Sequence, residues 1–155
     1  MNDKLSELLQ NSTKREILDY VSNKLEKSDE APFWKEKIVP FVDAILSVLL
    51  PLEKQNILFT PEGNKEEKLT SELFYKWTDL ISLRTLAFTL ELSNTNNKLL
   101  RTSYKDTDYK EIDLEVLGKY LSSYKVNLTE EDHLDFPVGN YNMHIGMVTI
   151  IKSLF

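Results

Sequence analysis

An all-α fold, a compact bundle of about six to seven helices, is what this sequence predicts, on three observations. Apolar residues recur at three- and four-residue spacing through most of the chain, and sustained alternation of period two is absent. Only 4 Gly and 5 Pro interrupt 155 residues, of which 41% are hydrophobic and 28% charged. The first spacing turns one face of a helix to a core, whereas a half-buried strand needs every second residue apolar. A single domain over residues 1–155 is expected, since a chain of this length hides roughly 70% of its unfolded surface around one core.

Taken in order, Thr13 and Glu16 form a capping-box start to TKREILDYVSNKLE, with Ile17, Leu18, Val21 and Leu25 on one face. Ser28, Asp29 and Glu30 break that pattern, and Pro32 suits the first turn of the next helix, where a missing N–H costs nothing. FWKEKIVPFVDAILSVLLPL sets Trp34, Ile38, Phe41, Ile45, Val48 and Leu52 along one stripe, with Phe33, Val42, Leu46 and Leu49 beside it. So wide an apolar arc predicts burial between other helices. Glu36, Asp43 and Ser47 mark its wetter side, and Pro40 falls there too, which predicts a bend rather than an end. The stretch Ile38 to Leu50 is shorter than the roughly 20 residues of a bilayer span and contains Pro40 and Asp43, so it reads as a core helix.

Asn56 to Lys68, with Pro61, Gly63 and many charges, predicts a surface loop. Thr70 and Ser71 then open TSELFYKWTDL with Leu73, Phe74, Trp77 and Leu80 inward, and Ser82 caps LRTLAFTLEL with Leu83, Leu86 and Leu90 inward. SNTNN, residues 93–97, is a stop, and Lys98 to Lys110 is a polar, tyrosine-bearing connection. Asp113 caps LEVLGKYLSSY, and Leu128 to Asp135 is an acidic connection to a closing helix from about Asn142. On that helix Met143, Met147, Ile150 and Leu154 form one stripe and His144, Val148, Ile151 and Phe155 the next. His144 therefore falls on the buried arc, where a neutral imidazole hydrogen-bonded within the core is expected. Asn142, Gly146, Thr149 and Ser153 make a small, polar side open to close approach.

The chain has no cysteine, which excludes disulfides, thiolate catalysis and cysteine-held metals and is compatible with the cytosol. No signal-peptide pattern follows Met1, so secretion by that route is not expected. Gly63, Gly118, Gly139 and Gly146 are isolated and form no phosphate loop, so no nucleotide or other cofactor is expected. His133 and His144 fit no zinc spacing, and no nucleophile elbow accompanies them, so no metal ligand and no catalytic residue is assigned. Asp132, His133 and Asp135 are cation-ligand types, but TEEDHLD reads more simply as a solvated acidic loop. A formal net charge of −6 disfavours binding that needs broad phosphate neutralisation. Contact residues are instead sought in Tyr104 and Tyr109, interleaved with charges of both signs, and in Glu130, Glu131 and Asp132, which suit steering of a partner.

Two stretches carry a resemblance. EAPFWKEKIVPFVDAILSVLLPL resembles the start of the all-α domain of type IV secretion coupling proteins, the VirD/TraD-like hexameric ATPases. YNMHIGMVTIIKSLF looks like that domain's closing helix, which leads back into the motor; its apolar, uncapped end suggests a domain cut from a longer ATPase. The resemblance covers about residues 12–155 and also takes in TDLISLRTLAFTLEL and LEVLGKYLSSY. It implies a cytoplasmic domain of a protein anchored to the bacterial inner membrane, selecting a protein substrate or secretion adaptor. Membrane attachment, hexamer formation and ATP hydrolysis would belong to the parent, and the isolated domain would be a monomer. The rival expectations are DNA contact through Arg84, Lys98, Arg101 and Lys105, and a free-standing helical adaptor or small enzyme.

Overall fold

The computed structural model describes the backbone of residues 3–96, 111–122 and 138–155, with the side chains of all but 92–96 and 138–141. Among these residues are seven helices: α1 (Lys4–Asn11), α2 (Lys14–Glu26), α3 (Pro32–Lys54), α4 (Ser71–Trp77), α5 (Leu80–Asn96), α6 (Glu115–Ser122) and α7 (Val138–Ser153). The expected all-α bundle forms, around one apolar cluster.

Helix α1 was not anticipated, because two inward leucines, Leu5 and Leu9, are too few to show a period. Asp3 caps it by accepting from the Ser6 N–H at 3.0 Å. The second Asp3 oxygen accepts from the Ser6 hydroxyl at 2.8 Å and from the Ser71 hydroxyl at 2.5 Å, while Ser6 Oγ accepts from the Ser71 N–H at 2.7 Å. One carboxylate thus joins the starts of α1 and α4. Helix α2 begins on the predicted capping box, with Thr13 Oγ1 accepting from the Glu16 N–H and Glu16 returning the bond to the Thr13 N–H.

Helix α3 is the hub, packed against α2, α6 and α7. It runs through both Pro40 and Pro51 without a break. Pro40 is exposed, so the carbonyl that it leaves without a helical donor faces the wet side. Phe33, predicted beside the inward stripe, is instead 46% exposed, and Trp34 is only half-buried. Both stand in the first turn, where Phe33 packs edge-on against Trp34 and only the indole reaches the core.

The segment after α3 is a loop only at its tip. Ile57, Leu58 and Leu69 are buried and anchor its two ends. The Thr60 N–H donates to the Asn64 carbonyl at 2.8 Å, and the Gly63 N–H donates to the Thr60 carbonyl at 2.9 Å. Gly63 has φ +89°, a conformation that a side chain would strain. An isolated antiparallel bridge pairs Phe59 with Lys65.

Five predicted boundaries move. Helix α4 ends at Trp77, and Leu80 belongs to α5. Asp79, not Ser82, caps α5: its Oδ2 accepts from the Ser82 N–H at 2.9 Å and the Ser82 hydroxyl at 3.0 Å. Helix α5 continues to Asn96, through most of the expected stop, and α7 starts at Val138 rather than near Asn142. Helix α6 starts at Glu115, one residue after the predicted Leu114, with Asp113 accepting from the Glu115 N–H at 2.9 Å. No described helix is long and apolar enough to cross a membrane.

Helix α7 meets α3 where the small side of α7 was expected to allow close approach. A Cβ added to Gly146 would lie 3.3 Å from Cη2 of Trp34, so the indole rests on bare backbone. Gly146→Val is expected to lose about 1–2 kcal/mol, overpacking outweighing the gain in helix propensity. Urea unfolding and the tryptophan emission maximum check both the loss and the displaced ring.

Candidate functional site

The α4–α5 corner and α7 together build a cleft around a buried histidine. Helix α4 ends because Thr78 turns back on it: its N–H and hydroxyl both reach the Tyr75 carbonyl, at 3.2 and 2.5 Å. The Thr78 carbonyl then faces α7 and meets His144 Nε2 at 2.6 Å. Since a carbonyl only accepts, Nε2 carries the proton, which fixes the tautomer. His144 is 2% exposed, with the Phe41 ring edge-on at 4.8 Å. Burial lowers its pKa below the ordinary imidazole value; the Thr78 carbonyl and the Asp79 charge oppose that shift without reversing it. The expected neutral, hydrogen-bonded core histidine is what forms.

Above this pair lies an open cleft of about 200 Å³. Leu80, Ile145 and Val148 supply its apolar surface, and Tyr75, Asp79, Thr149 and Lys152 its rim. Ile145 is 50% exposed, a large aliphatic side chain turned half outward. Lys152 Nζ stands 5.3 Å from the Tyr75 ring centroid. The Tyr75 hydroxyl is pushed above the ordinary phenol value, mainly by burial and then by the Asp3 charge. Next to the cleft, Phe155 stacks on Tyr20 at 5.5 Å and 15°, and Lys4 and Lys24 each lie 5.6 Å from the Tyr20 centroid.

The imidazole N–H serves the Thr78 carbonyl, and the Thr78 and Thr149 hydroxyls donate to the carbonyls of Tyr75 and Ile145. The cleft thus joins an apolar recess to a polar rim.

Tyr104, Tyr109, Glu130, Glu131 and Asp132 lie outside the described residues, as do Lys98, Arg101, Lys105 and the acidic group around His133. Arg84, expected to offer a cation to DNA, is instead 2% exposed. Burial at Leu80, Leu83, Leu86, Ala87 and Leu90 widens the inward arc of α5 until it encloses position 84. Sequence reasoning did not single out Tyr75, Ile145 or Lys152. Ile145 carried a signal nonetheless, being an isoleucine outside both apolar stripes predicted for its helix. No family model, curated protein or solved structure matches the chain.

Proposed function

We propose that this chain is a recognition domain and not an enzyme: an all-α module that docks a protein substrate or secretion adaptor. Its resemblance to the all-α domain of type IV secretion coupling ATPases supplies the setting, on the cytoplasmic side of the inner membrane, with the motor in other sequence. The observation that carries the reading is the cleft beside α7, where Ile145 is half-exposed and Val148 partly so within a polar rim, and where the imidazole N–H is already held by the Thr78 carbonyl. Protein interfaces share that anatomy, with affinity concentrated in a few buried apolar or aromatic anchors. Loss of Arg84 to the core weakens the rival DNA reading.

Capture tests the proposal. The immobilised chain is expected to retain a protein from lysate of cells carrying a type IV secretion system, and Ile145→Glu to cut retention at least about tenfold with unchanged circular dichroism. Equal retention by the variant, or no retention by the native chain, overturns it.

A further inference from the structure

Three lysines lie against the aromatic rings beside the cleft. The chain carries a formal net charge of −6. Yet Lys4 on α1, Lys24 on α2 and Lys152 on α7 stand together there, and among the described residues none is within ion-pair distance of a carboxylate. The corner is continuous with the cleft: Lys4 and Lys24 flank Tyr20, Tyr20 stacks on Phe155, and Lys152, one helical turn before Phe155, reaches the cleft's Tyr75. Asp3, whose charge Tyr75 feels, has its oxygens taken by Ser6 and Ser71.

We infer that this surface takes an acidic amphipathic segment of a protein partner, a bulky apolar side chain entering the cleft and neighbouring carboxylates pairing with Lys152, Lys24 and Lys4. The inference rests on the protein-recognition reading and adds the partner's chemistry to it. Lys4 and Lys24 share the Tyr20 ring and Lys152 has no carboxylate within ion-pair distance among the described residues, so an incoming carboxylate gains more there than at a cation already paired. Asp79, also in the cleft's lining, repels a carboxylate, so the acidic residues of the segment belong at the lysines and its apolar anchor in the cleft. The rings argue for carboxylates over nucleic acid. Tyr20 gives one face to Phe155 and has ammonium groups beside it, and Tyr75 has Lys152 over its ring, which leaves less open π-face for the base stacking on which single-strand binding depends.

The test uses fluorescent helix-prone peptides of about 16 residues with Leu and Glu at four-residue spacing, read by anisotropy at two salt concentrations. The Leu/Glu peptide is expected to bind the native chain, to weaken as salt rises, and to shift the Ile145 and Thr149 amide resonances. Its Glu→Lys and Leu→Ala counterparts are expected to bind at least about tenfold more weakly. In the double variant Lys24→Glu, Lys152→Glu, both exposed positions, the preference should invert toward the Lys peptide. Equal binding of acidic and basic peptides, no inversion in the double variant, or preferential binding of an oligothymidylate overturns the inference. If any of these occurs while the native chain still captures a protein that Ile145→Glu does not, the recognition reading stands and only the partner's chemistry is wrong.

Discussion

Phe41→Ala is expected to remove about 4 kcal/mol of stability, the largest loss from any one truncation considered. The ring is fully buried at the middle of α3, and it touches two other helices at once: Tyr120 of α6 at 5.1 Å and His144 of α7 at 4.8 Å. Removing it deletes a large apolar volume and strips a packing face from both neighbours. Phe41→Leu keeps most of the volume and should cost about 1.5 kcal/mol. Against a total of roughly 5–15 kcal/mol for a small domain, the alanine variant stands near the edge of folding. Urea titration followed by circular dichroism measures the difference; a loss below about 1 kcal/mol for alanine would deny α3 its role as hub.

Helices α2 and α3 were legible because local and long-range signals agree there. A reciprocal Thr13–Glu16 cap precedes a clean stripe in α2, and α3 has Pro32 at its start and an apolar arc too wide for a surface helix. The α4–α5 corner was not, because the helical period continues across it and Leu80 fits the inward spacing of either helix. Asp79 and Ser82 are both good caps, and the choice between them depends on Thr78 turning back onto Tyr75, a detail that spacing does not contain. Gly139 and Asn140 are poor helix formers, yet α7 begins at Val138, a case of local propensity overridden. The burial of His144 followed from its position. The cleft above it did not, since residues 75–80 meet 145–152 only through the fold, and Arg84 misled because a formal charge was taken for an exposed one.

His144→Ala is expected to cost about 3 kcal/mol near neutral pH, from the cavity left against Phe41 and the loss of the donor to the Thr78 carbonyl. His144→Phe separates the two: it refills the volume but leaves that carbonyl without its donor, and should cost about 1–2 kcal/mol. The pH dependence identifies the imidazole itself. Burial holds the folded pKa below the ordinary value of about 6.5, so as pH falls the unfolded chain takes up the proton first. Stability contributed by the neutral ring is therefore full above about pH 6.5 and is lost as pH falls from there through the folded pKa. The native chain should weaken across that window relative to His144→Ala, narrowing the gap between them, whereas a gap that widens on acidification would contradict a neutral buried ring. With two histidines in the chain, an imidazole NMR titration of native protein and a His133→Asn variant assigns the depressed resonance. The same ring ties α7 to the end of α4, so acid that charges it also loosens the two walls of the cleft. Binding at the Ile145 surface should accordingly fall on acidification in step with the His144 titration, below the ordinary imidazole range, and should lose that pH dependence in His144→Phe.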